Sequence, residues 1–260
     1  MHAAPHPFRV VASAFPLAQL VSYIGGPDVS VTDLVPPGAQ PEATALSARQ
    51  HHEIASAQFV VDVGDGYQPE VEASAASRPH FAVLPSVSKQ AQPYEIWLDP
   101  YLWSSAATAL TKAMKAADPG GARQFQNGLS DFQSLASSVA SDYVSTLSEC
   151  PLRELVTADD AFGRMANAFS LVDVPLSTTG VKKALAVIAQ YSLPDVFSEQ
   201  GVGSGEISRL AHTARVGLKS LDPMELTPQP GTEYQSYFAI MESNLSALEG
   251  PLECDTSMND

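Results

Sequence analysis

Four acidic residues carry the chemistry open to this chain: Glu42, Glu95, Asp159 and Asp222. Each stands where the chain leaves a predicted strand or enters the turn after it. Glu42 follows the turn Val35-Pro36-Pro37-Gly38-Ala39-Gln40-Pro41, and Glu95 precedes Trp97-Leu98-Asp99-Pro100. Asp159 ends a strand, and Asp222 lies between Leu221 and Pro223. Carboxylate oxygens are hard donors that suit manganese, calcium and magnesium, whereas imidazole suits zinc, copper and iron. The same residues have a plainer use, because acids at strand-to-helix junctions commonly cap helices. Asp159 or Asp160 could cap a helix beginning at Ala161. Paired carboxylates also run glycoside hydrolysis, but nothing in the organisation points to it. No nucleophile elbow, Cys/His arrangement or phosphate motif is present, so no enzyme is expected.

Other polar features carry less. His51 and His52 are adjacent in a predicted helix and point about 100° apart, so they do not chelate together and read as a solvated face. His80 and His212 are isolated and read as structural. Gly201-Val202-Gly203-Ser204-Gly205 precedes a helix but lacks the lysine of a P-loop, and reads as a flexible turn.

The elements that must position these acids follow from periodicity. Strands are expected at 8–13, 29–35, 59–64 and 81–85, with helices at 16–24, 44–57 and about 70–77. A helix follows at 101–117, closed by Asp118-Pro119-Gly120-Gly121. From Ala122 to about Leu147 no proline occurs, and Phe125, Leu129, Phe132, Ala136, Val139, Tyr143 and Leu147 form one stripe at steps of three and four. Such a helix runs roughly 40 Å at 1.5 Å per residue. Strands then return at 152–157, 171–175, 195–198 and 216–221, with helices at 161–169, 181–191, 206–215 and 233–248. Strands alternating with helices predict parallel sheets covered on both faces. The expected fold is α/β, with two lobes, each a parallel sheet flanked by helices, joined by one long spacer helix. The boundaries are an N-terminal lobe over 1–118, a linker helix over 119–149 and a C-terminal lobe over 150–260. Open α/β sheets bind ligands outside the carboxyl ends of their strands, which is where the acids lie.

Composition bounds the rest. The 260 residues are 45% hydrophobic and 17% charged, a globular balance, with a formal net charge of −15. That charge disfavours nucleic acid and anionic membranes as partners. No apolar run approaches the ~20 residues that span a bilayer. Residues 1–7 lack the regions of a signal peptide, so the protein is either cytosolic or has lost a leader. Cys150 and Cys254 are the two cysteines. They either close a loop worth roughly 4–5 kcal/mol on the chain-entropy model or remain as free buried thiols; their spacing fits no zinc motif.

Four segments together resemble one family. Residues 35–42 resemble the VPPGAEPH stretch of the cluster A-I (zinc and manganese, TroA-like) substrate-binding proteins of ABC transporters. Glu95 to Pro100 resembles their HVWLDP, Thr157 to Gly163 their TSHDAFG, and Ser220 to Pro223 the LDP near their last strand. The segments come in order and span nearly the whole chain. The resemblance implies an extracytoplasmic protein, periplasmic or lipid-anchored, that captures a metal ion between its lobes and hands it to an ABC permease as a monomer. It places the ligands at Glu42 and Glu95 in the first lobe and at Asp159 and Asp222 in the second, with Glu199 and Asp99 as supports behind them. Three of the four depart from the family's histidines, and the histidine-rich loop is absent, since residues 64–92 hold only His80. An all-carboxylate shell favours manganese, with calcium or iron behind it and zinc lower. Four carboxylates on one divalent ion leave a charge near −2, and buried like charges are costly. Protonation, a nearby cation, or a trivalent or second ion would relieve it. The alternative is a binding module for a non-metal ligand or protein partner that keeps the fold without the metal.

Overall fold

The computed structural model describes residues 7–41, 45–90, 92–203, 205–228 and 236–254. They form two sheets of four parallel strands each. The first holds β1 (Phe8–Ala12), β2 (Val29–Asp33), β3 (Phe59–Asp62) and β4 (His80–Ala82) in the order β2-β1-β3-β4. The second holds β5 (Glu154–Thr157), β6 (Val172–Pro175), β7 (Asp195–Glu199) and β8 (Gly217–Leu221) in the order β6-β5-β7-β8. The two therefore share one winding, and in each the strand order reverses beside the first strand.

The helices are α1 (Phe15–Gly25), α2 (Ala48–Ser56), α3 (Pro69–Ala75), α4 (Leu84–Val87), α5 (Pro100–Ala117), α6 (Ala122–Ser148), α7 (Gly163–Ala168), α8 (Leu176–Thr179), α9 (Val181–Tyr191), α10 (Gly205–Ala214) and α11 (Tyr237–Glu249). Local chemistry sets several ends. Pro16 starts α1, and Gly26, at φ 54°, ends it by giving its N–H to the Ser22 carbonyl. The α2 helix begins later than its periodicity suggests because Ser47 and Gln50 form a reciprocal capping box. Gln50 is also held by the Leu34 carbonyl, which ties α2 to the end of β2. The predicted starts at Thr44 and Glu233 lie outside the described residues.

The chain groups into two compact units that interleave in sequence. One takes residues 1–94, 102–136 and 224–237; the other takes 95–101, 137–223 and 238–260. Residues 95–101 group with the second sheet's unit, and the chain returns to the first after Pro223. In the first unit Val11, Leu34, Ile54, Ala57, Val60, Val71 and Ala75 pack one face of the sheet against α2 and α3. In the second, Val156, Val174, Ala184, Ile188, Val196, Ile207 and Leu210 do the same beneath α9 and α10.

All seven stripe residues of α6 are buried. Its first half belongs to the first unit and its second half to the other. In the first, Phe132 packs on Tyr237, which also meets Trp103. In the second, Tyr143 stacks on Phe169 at 4.6 Å and donates its hydroxyl to the Met241 carbonyl at 2.7 Å. A disulfide joins Cys150 to Cys254, fixing the segment after α11 to the entry of the second sheet.

One position shows packing outweighing helix propensity. A methyl group on Gly128 of α6 would stand 2.4 Å from the Ile24 carbonyl oxygen and 2.5 Å from that of Tyr23, both backbone atoms at the end of α1. Alanine gains about 1 kcal/mol of helix propensity over glycine, while overpacking against backbone costs about 1–3 kcal/mol. Gly128→Ala should therefore lower the thermal midpoint; a raised midpoint by calorimetry would contradict this close approach.

Candidate functional site

In the second sheet the strand order turns at the β5/β7 pair, so the crevice of an open α/β sheet is expected at their carboxyl ends. Asp159 follows β5 there, and Glu199 is the last residue of β7. A cavity of about 220 Å3 opens at this edge, lined by Asp159, Ser177, Glu199, Val202, Gly203 and Glu206 among others. Asp159 is half-buried and its Oδ1 accepts the Ala161 N–H at 3.0 Å, the turn-capping role open to it from sequence. Glu199, expected as a support behind the ligands, is itself buried in the wall of this cavity.

Behind Asp159 the Thr157 hydroxyl lies 2.8 Å from the Asp159 carbonyl and 2.6 Å from Asp173 Oδ1. One hydroxyl proton serves only one of these well; a protonated Asp173 supplies the other. Burial pushes the Asp173 carboxyl up to about 7, with Asp160 and Asp159 adding to the rise against the Thr157 and Val174 hydrogen bonds. The strand edge therefore holds a carboxyl ready to be neutral near neutral pH.

Glu95 comes to the same unit by another route. The 3-10 turn Ile96–Leu98 packs on α7, and the Trp97 indole donates to the Pro223 carbonyl at 2.7 Å, next to Asp222. Asp222 is clamped from α11: its N–H gives to Asn244 Oδ1 and Asn244 Nδ2 gives to its carbonyl, both at 2.8 Å. Glu95, expected in the first lobe, groups by contacts with the second unit, where buried Trp97 holds its segment. Asp99 accepts the Tyr101 N–H at 2.9 Å and caps α5.

Sequence reasoning missed a buried cation on the helix against which the segment of Glu95 packs. Arg164 of α7 is 7% exposed and Glu95 only 4%. Burial pushes the Arg164 guanidinium down from its ordinary value, while the charges of Glu95 and then Asp99 hold it protonated. A lone arginine after the Asp160-Ala161-Phe162-Gly163 turn gives no periodic signal, and only the docking of residues 95–99 on α7 reveals it.

In the first unit the corresponding edge lies at the ends of β1 and β3, occupied by buried Ser13, Asp62 and Gln68. Gln68 donates through Nε2 to the Ser13 and Pro41 carbonyls at 3.0 and 3.1 Å, which anchors the segment leading to Glu42. Glu42 itself lies outside the described residues. Asp62 Oδ2 is buried with no hydrogen-bond partner among the described residues. Burial lifts its carboxyl to about 6, which His80 opposes and Glu72 assists. A strand-end acid after the apolar run Phe59-Val60-Val61 was the signal for it. The histidines behave as a solvated face: His51 meets Ser74 Oγ at 3.3 Å and Glu70 at 3.5 Å. Among the described residues no three His, Cys, Asp or Glu side chains form a group able to hold a metal ion. Glu95, Asp159 and Asp222 are therefore not gathered into a finished three-acid centre.

Comparison with known proteins gives a consistent picture. The family described as ZnuA, zinc-uptake complex component A, periplasmic, matches residues 10–250. The zinc-binding protein AdcA of Streptococcus pyogenes is 26% identical over 163 residues, 59% of this chain and 32% of that protein. The chain thus spans about a third of the length of that relative. The manganese-binding lipoprotein MntA of Bacillus subtilis is 21% identical over 281 residues, 96% of this chain and 91% of MntA. Among solved structures, the periplasmic zinc binding protein TroA from Treponema pallidum superposes with a TM-score of 0.84 at 21% identity, covering 95% of this chain and 99% of that one. This likeness shows the shared fold, two parallel sheets with one long helix between them in the chain.

The buried acid of β3 yields a prediction with a definite sign. The folded-state value of Asp62 is raised, so its stability contribution is full at low pH and is lost as pH rises from about 4 through about 6. Asp62→Asn should stabilise the protein by about 1–3 kcal/mol at pH 8, shrinking toward zero near pH 4. Denaturant titrations at the two pH values check this, and an equal effect at both would refute it.

Proposed function

The chain belongs to the family of periplasmic zinc-uptake component A, and from that membership we propose that it is the extracytoplasmic substrate-binding component of an ABC importer for a divalent metal ion. Members of this family are metal-uptake components, not enzymes. Capture would occur at the carboxyl ends of the parallel strands, with Glu42, Glu95, Asp159 and Asp222 as ligands and delivery to a membrane permease. Among the described residues no helix is long and apolar enough to cross a membrane, so a permease would provide the passage. The observation that carries the reading is the position of the acids: Asp159 and Asp222 stand at the ends of β5 and β8, and Glu95 is tied beside Asp222 through Trp97 and Pro223.

Oxygen donors alone favour manganese, with calcium or iron next and zinc lower. The names of the relatives divide between zinc and manganese, and the donor chemistry decides our preference. A second reading has one observation in its favour. Buried Arg164 beside Glu95 already supplies a positive charge, as expected of a module that has kept the fold and exchanged the metal for another ligand.

Calorimetric titration of metal-stripped protein with manganese, calcium, iron and zinc tests the first reading. Manganese should bind with one site per chain, and Asp159→Asn or Asp222→Asn should weaken it at least about tenfold, the minimum typical even for groups behind the ligands. Absence of binding to all four ions would sink this reading and leave the second.

A further inference from the structure

We propose that Arg164 is the resident counter-ion of Glu95, a tethered cation that holds this carboxylate in the cargo-free protein and competes with the incoming metal for it. The inference rests on the importer reading only for the second half of that statement. Two buried side chains of opposite charge lie on segments that pack on one another. Arg164 sits in the first turn of α7, directly after the Asp159–Phe162 turn, and Glu95 precedes the 3-10 turn that packs on that helix. Both are more than nine-tenths buried. Neither can keep its charge at such a place without a partner, since removing one member of a buried pair strands the other.

The junction is rigid on both sides. Trp97 is fully buried and held by the Pro223 carbonyl, and Asp99 caps α5. Phe162 and Met165 flank Arg164 and are fully buried, so α7 cannot swing its guanidinium out without exposing core. Asp99, the other acid in electrostatic reach, is partly exposed, which leaves Glu95 as the acid that most needs the arginine. This also answers the charge problem of an all-carboxylate shell. Four acids, one arginine and one divalent ion would leave a charge near −1 rather than −2, and before the ion arrives the arginine offsets Glu95, which is 4% exposed.

A purely structural arginine and a competing one differ in the sign of two readouts. For Arg164→Gln the cargo-free protein should lose thermal stability, while its affinity for manganese should rise about tenfold, the size expected from removing one like charge several ångströms from the ion. Arg164→Lys should keep the wild-type affinity to within a few fold. On stability, the pair Glu95→Gln and Arg164→Gln should be strongly non-additive, the double variant melting well above the sum of the single losses. Additive losses would overturn the pairing. Manganese affinity that is unchanged or weaker in Arg164→Gln would overturn the competition. If wild-type and Arg164→Gln both ignore manganese while the stability coupling persists, the importer reading falls and the counter-ion stands.

Discussion

An ionised carboxylate withdrawn from water needs a proton, a cation or several donors, and this requirement organises the functional half of the molecule. Glu95, Asp62, Asp173 and Glu199 are all wholly or largely withdrawn. The protein meets the need differently at each. Asp62 and Asp173 are raised toward neutrality by burial. Glu95 is given an arginine. Asp159, less buried, spends one oxygen on a backbone N–H.

The fold exists around this constraint rather than beside it. Parallel strands present their carboxyl ends together, and the central strands are apolar runs because both faces are covered. Loops leaving such ends can carry polar groups without disturbing the core, and Gln68, Asn244 and Trp97 show how the loops are pinned. Each pin is a side chain bonding to backbone. The long α6 and the disulfide Cys150–Cys254 supply stiffness away from this edge.

Much of the scaffold could be read from the residues. The α6 stripe was legible because a 3.6-residue period persists over seven positions, and every one is buried. The parallel sheets were legible from alternation; the start of α2 shifted where the Ser47 cap intervened, α7 is shorter than expected, and the short helices α4 and α8 gave no periodic signal. The site was legible only in part. Asp159, Asp222 and Glu199 fall on strand ends that the pattern already marks. The unit to which Glu95 belongs was not legible, since it depends on a contact between Trp97 and Pro223, 126 residues apart. Arg164 was invisible for a related reason: local sequence marks neither its burial nor the neighbours that give it its chemistry.

That difference bears on how cargo preference changes on a constant scaffold. A histidine ligand is neutral before its metal arrives, so it is buried without a counter-ion. A carboxylate in the same place is charged from the start, and the cargo-free state must compensate it. Under the proposed reading, a glutamate at position 95 in place of a histidine would call for a compensating cation nearby, and Arg164 has the charge, the burial and the location for it. In that reading a harder oxygen shell would gain preference for hard ions, and the ion would have to displace the hold of the arginine on Glu95. The arginine is then as much a part of the site's definition as the acids, although it would never touch the metal.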